Sequence, residues 1–166
     1  MAHYEWLLLV GSVWTHAKDI SLHTRELAAL LGTNGPLADL MTPQELAAHK
    51  ALPDTLTVYR GCDKSAIWAP SWTTHELLAI NFPFFPGYVA DTRLLVTGTV
   101  KKAHILALKM IEVGATVSIP LVEIVSFSVK PTKLERLEDI GTIIERSPYD
   151  PALITPAYLS TCGWPN

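Results

Sequence analysis

Several polar side chains in this sequence stand among apolar neighbours, and their types and order could do chemistry. Arg60 closes the alternating run Leu56-Thr57-Val58-Tyr59-Arg60 and precedes Gly61. A guanidinium at a strand end can hold a diphosphate through two parallel hydrogen bonds. In Pro70-Ser71-Trp72-Thr73-Thr74, Ser71 and Thr73 lie two residues apart and share one face of an extended segment. Their hydroxyls could orient a ribose and a catalytic acid. Glu123 interrupts Leu121-Val122-Glu123-Ile124-Val125. A carboxylate inside such a strand is costly unless it faces a cleft or finds a partner. Facing a pocket, it suits stabilisation of an oxocarbenium ion.

Each residue also has a plainer role. Arg60 could be a surface arginine at a strand end, and Thr73 or Thr74 could cap a helix starting at His75. Glu123 could face water from an edge strand. Phe82, Phe84, Phe85 and Tyr88 form an aromatic loop that could cover a flat ring or simply plug the core. His3, His16, His23 and His49 have no metal-ligand spacing, and His75 reads as a helix-surface residue. No metal site is expected. Nothing identifies Cys62 as a nucleophile.

The elements that must position these groups follow from periodicity. Trp6, Leu7, Leu9, Val10, Val13 and Trp14 recur at helical spacings. Ser21 precedes a second helical segment, ended by Gly32 and Asn34-Gly35-Pro36. Thr42-Pro43-Gln44-Glu45 has the form of a capping box and predicts a third helix to about Lys50. After Pro53 the chain turns β-rich. Strands are expected near 56–60, 94–100, 105–108, 116–119 and 122–129, with a short helix over 74–79. Two prolines and a glycine in Asn81-Phe82-Pro83-Phe84-Phe85-Pro86-Gly87 argue against regular structure there. From about Pro131 the composition is turn-rich. Helices followed by strands give an α+β fold in one domain over 1–166. Its parts are a helical lead-in at 1–50, a β-rich core at 56–129 and a tail at 130–166.

The bulk numbers narrow the class. The 166 residues are 49% apolar and 17% charged, which is a globular composition. A net charge of -3 gives no electrostatic sign of nucleic-acid binding. Two distant cysteines, Cys62 and Cys162, make neither a disulfide framework nor a zinc site and read as reduced thiols. The apolar run at Trp6–Val13 is too short, and too lacking in preceding basic residues, for a signal or membrane segment. The expectation is a cytoplasmic protein with no membrane partner. No GxGxxG or GxxxxGK[ST] occurs, so a nucleotide would not bind through those loops.

The pieces in sequence order carry a resemblance. Tyr59-Arg60-Gly61 comes first, then Ser71-Trp72-Thr73-Thr74 with Ala79 and Phe82 behind it. The strand Val96-Thr97-Gly98-Thr99-Val100-Lys101 follows, then Ile105-Leu106-Ala107, then Glu123-Ile124-Val125. Over about residues 56–129 this resembles the R-S-E class of ADP-ribosyltransferases, in its small single-domain bacterial or phage form. The resemblance implies N-terminal helices followed by a split, mixed β-sandwich around an NAD cleft. It implies cleavage of NAD at the nicotinamide bond and transfer of ADP-ribose to a macromolecular acceptor, expected to be a protein, as in a toxin or phage effector. By the same analogy Glu123, Arg60 and Ser71 are the catalytic set. NAD binding would involve Arg60, Gly61, Ser71, Trp72, Thr73, Phe82, Phe85 and Tyr88. Arginine-modifying members carry Glu-x-Glu at the last motif, where this chain has Leu121, so the acceptor stays open. The alternatives are an NAD-binding or inhibitory module without transfer activity, and an NAD glycohydrolase.

Overall fold

Helical periodicity fixes the first element, but the chain buries only part of it. In the computed structural model, which describes residues 3–14, 20–32, 35–84, 88–111 and 121–137, α1 spans His3–Val13. Leu7, Gly11 and, just beyond the helix, Trp14 lie on the buried side, with Trp6 and Val10 packed at its margin. Leu8, Leu9 and Val13 point outward, so the inward face is narrower than the apolar count predicts. Gly11 is required by contact: a Cβ there would lie 2.4 Å from the carbonyl oxygen of Leu40. That carbonyl belongs to a 3-10 turn at Ala38–Leu40.

Helix α2 runs Thr24–Leu31, entered through a 3-10 turn at Ile20–His23 and not directly from Ser21. Helix α3, Pro43–Lys50, has the expected capping box. The Thr42 hydroxyl accepts from the Glu45 amide at 3.2 Å, and the Glu45 carboxylate accepts from the Thr42 amide at 2.8 Å. A fourth helix, α4, spans Glu76–Asn81 and passes into a 3-10 turn at Phe82–Phe84. That turn is the local order which the proline-rich sequence did not predict.

The strands are β1 Thr55–Asp63, β2 Ser71–Thr73, β3 Arg93–Lys101, β4 Ala107–Ile111, β5 Leu121–Val125 and β6 Lys130–Arg136. They form a sheet in the order β4-β5-β2-β1-β3-β6, and every pairing is antiparallel. The chain is therefore α+β. The expected mixture of parallel and antiparallel pairs is absent from the described strands.

Two expectations are corrected here. Strand β6 falls in the segment read as a turn-rich tail. Proline is compatible with an edge strand, and Pro131 sits opposite Gly98 where the register shifts. Strand β5 ends at Val125 instead of continuing to Val129. The Ser126 hydroxyl donates to the His104 carbonyl at 2.7 Å and accepts from the Ser128 amide at 3.1 Å, which turns the chain out of the sheet. The strand expected at 116–119 lies outside the described residues.

The sheet is unevenly joined. Strand β1 pairs with β3 through nine successive residues, whereas a single residue pair, Tyr59 with Thr73, links β1 to β2. Two three-stranded halves, β4-β5-β2 and β1-β3-β6, thus meet at a narrow seam. The main core gathers α1, α2 and α3 with Val58, Val96, Val100, Leu108 and Ile124. A smaller core, Ala79, Ile80, Leu95 and Leu137, forms where α4 packs on β1 and β3. Among the described residues, no helix is long and apolar enough to cross a membrane.

Candidate active site at the sheet seam

Antiparallel register decides which side chains meet. On β2 and β5, Thr73 is paired with Glu123, and on β4 Lys109 is paired with Glu123 in turn. One row across the sheet therefore reads Lys109, Glu123, Thr73 and, over the seam, Tyr59. The next row on this face is Ala107, Val125 and Ser71. Ser71 and Glu123 lie on a diagonal, and the Ser71 hydroxyl donates to Glu123 Oε1. The 52-residue gap between them in sequence is closed entirely by strand pairing.

A second donor reaches the same oxygen. Trp14 Nε1 donates to Glu123 Oε1 at 3.0 Å. The indole is 4% exposed and belongs to the main core. Burial pushes the Glu123 carboxyl above its usual range, opposed by the hydrogen bonds from Ser71 and Trp14 and by the charges of Arg60 and Lys109. The residue keeps partial surface exposure, while its carboxyl group is shielded from water.

Arg60 is neither a free surface cation nor wholly available for a ligand. Its Nε donates to the Ala66 carbonyl at 3.0 Å, and its Nη1 donates to the Ser71 carbonyl. Two of its five donors therefore tie the 3-10 turn Lys64–Ala66 and strand β2 back onto β1. Between these two anchors the loop carries Trp68, which is 70% exposed. Arg60, Ser71 and Glu123 are each partly exposed residues, but alternation from Tyr59 places the Arg60 side chain on the face of Trp72, so it meets Ser71 only at the backbone carbonyl.

The other residues singled out from sequence divide. Thr73 stands in the site row and is buried; its hydroxyl accepts from the His75 amide at 3.1 Å, so it also shapes the entry to α4. Trp72 departs from its expected place against a ligand. Strand alternation sends it to the opposite face, buried in a row with Ile124 and Leu108. Gly61 has a packing reason: a Cβ there would lie 1.7 Å from the Ala79 carbonyl oxygen, so only glycine lets α4 approach β1. Phe82 and Tyr88 make an edge-to-face pair with centroids 5.2 Å apart. The Tyr88 hydroxyl accepts from the Asp63 amide at 3.1 Å, which brings this pair to the end of β1. Phe84 instead joins the smaller core and lies under the Arg93 guanidinium, 5.0 Å from its ring centre. Phe85 and Cys162 lie outside the described residues. Cys62 is fully buried, and burial pushes its thiol up, away from nucleophilic form.

Sequence reasoning missed Trp14 and Lys109. Lys109 is buried and donates to Glu45 Oε2 and to the Leu40 carbonyl, each at 2.9 Å. Glu45 also accepts from the Met110 amide at 2.9 Å. The capping glutamate of α3 thus holds the lysine beside the candidate acid. The alternation of β4 could have flagged Lys109 as a charge inside an apolar run, whereas no local signal links Trp14 to a residue 109 positions away. Comparison with family models, with curated proteins and with solved structures finds no match to this chain.

Proposed function

We propose that this protein is an NAD-dependent mono-ADP-ribosyltransferase. The observation that carries the reading is a chain of contacts from Arg60 through Ser71 to Glu123: the arginine donates to the serine's backbone carbonyl, and the serine hydroxyl donates to the glutamate. The three come from separate strands on either side of the place where a single residue pair joins two half-sheets. Such a seam supports the split-sandwich form of the fold, with the nucleotide bound along it.

In this reading Arg60 receives the diphosphate with the donors that its two carbonyl contacts leave. Ser71 fixes the carboxylate of Glu123. Tyr88 and Phe82 border the Arg60 end. Glu123, ionised, faces the ribose carbon as the nicotinamide bond breaks and stabilises its positive charge. The departing nicotinamide takes the bonding electron pair, and an acceptor nucleophile completes the transfer. Leu121 leaves the acceptor unspecified, and water in its place would make the protein an NAD glycohydrolase.

The test is release of nicotinamide from NAD, with and without cell lysate. Release only with lysate supports transfer. Release in buffer alone makes the protein a glycohydrolase. Saturable NAD binding without release replaces the enzyme with a binding module.

A further inference from the structure

We infer that Trp14 is a positioning residue for Glu123, holding the carboxylate in one orientation through its indole N–H; the inference rests on the proposed role of Glu123. Ser71 alone would leave the carboxylate free to swing about a single hydrogen bond. Trp14 arrives from outside the sheet, and both donors end on Oε1. A carboxylate held at one oxygen from two directions keeps its other oxygen pointing one way. A group that must meet charge developing at one carbon needs that fixed aim.

The surroundings make α1 a wall and not a lid. Trp14 is as buried as the core leucines, and Leu7 and Gly11 lie on the same side of the helix. Gly11 lies against the Leu40 carbonyl, which also accepts from the Lys109 ammonium. Lys109 is bonded to Glu45 and stands beside Glu123 in register. The indole is therefore braced through the same polar cluster that neighbours the acid. The helical lead-in, which lies outside the resemblance to known enzymes, supplies part of the site.

The experiment compares the parent, Trp14→Phe and Glu123→Gln. Phenylalanine keeps a ring in the core and deletes the donor. Trp14→Phe should lower kcat for nicotinamide release about tenfold while leaving the KM for NAD within about twofold. Its kcat–pH rise should move to higher pH, and part of the loss should return there, because an acid that has lost a donor ionises later. In ¹³C spectra the Glu123 carboxyl of Trp14→Phe should titrate at higher pH than in the parent, a readout that holds whatever reaction the protein performs. If Trp14→Phe is too unstable, the indole ¹⁵N–H resonance of the parent substitutes. It should follow the Glu123 titration and change in Glu123→Gln. An unchanged carboxyl titration, or an indole resonance blind to Glu123, would reduce Trp14 to a core side chain. Faster turnover in Trp14→Phe would make α1 an inhibitory cap and overturn the inference. A parent that releases no nicotinamide refutes the enzyme reading separately, while the two spectra still decide the contact.

Discussion

At the scale of single residues, Glu123 combines chemical use with an energetic cost. Its burial disfavours the charge that the proposed chemistry requires, and two hydrogen bonds offset part of that cost. Glu123→Gln keeps the shape, so NAD binding should stay within a few-fold, while turnover should fall on the order of 10²–10³. Nicotinamide release at saturating NAD, with a calorimetric titration on the same samples, checks both numbers. Arg60 should behave differently, because it also ties β1 to the loop before β2. Arg60→Lys keeps the charge but cannot reproduce the two-carbonyl tie. It should weaken NAD binding by about tenfold and raise hydrogen exchange in residues 64–70. Equal affinity for NAD would leave Arg60 a purely structural tie. These residues were legible in the sequence because each breaks a local apolar pattern. Trp72 was not: an exposed strand tryptophan and a buried one look alike until the register fixes which way the strand faces.

At the scale of elements, the fit of α4 against β1 decides how the Arg60 strand is supported. Gly61 follows Arg60 directly and faces the Ala79 carbonyl with no room for a methyl group. Gly61→Ala must displace α4 or bend β1, at a cost of about 1–3 kcal/mol. Urea unfolding should show the lower midpoint, and NAD affinity should fall with it. A midpoint equal to the parent's would mean α4 yields without strain. The same contact explains why a glycine counted in sequence as a ligand residue has a packing reason of its own. Helix α3 was fully legible because its start signal is local: Thr42, Pro43 and Glu45 stand within four residues. Strand β6 was not, because its hydrogen bonds lie on β3, more than thirty residues back, and its own composition argues for turns. The exit of β5 at Ser126 depends on the His104 carbonyl, which is likewise non-local, 22 residues back. Local chemistry announces itself in sequence, whereas pairing partners do not.

At the scale of the whole molecule, two buried carboxylates near Lys109 give opposite pH dependences. Burial is the largest influence on Glu45, but the bonds from Met110, Thr42 and Lys109 outweigh it and hold its carboxyl below the ordinary value of 4.5. A depressed folded value means Glu45 contributes stability above the unfolded value, and that contribution is lost as pH falls through the folded one. His49 has the same sign. It is buried against the Ile105 carbonyl, and burial lowers its pKa below 6.5, so acid that charges it destabilises the fold. Glu123 runs the other way. Its folded value is raised, so its contribution is present below 4.5 and is lost as pH rises through the folded value. The parent should therefore lose stability in acid through Glu45 and His49, while above the Glu123 titration it carries the burden of an ionised Glu123. Glu123→Gln removes only that burden. Urea midpoints across a pH series should coincide for parent and variant at low pH, where the Glu123 carboxyl is protonated. They should diverge in the variant's favour as pH rises past the parent's Glu123 titration. The rise of kcat with pH in the parent should span the same interval, since one ionisation both destabilises the fold and arms the site. A variant no more stable than the parent at any pH in the series, or a kcat limb at the ordinary glutamate value, would show that the carboxylate is adequately solvated at the seam.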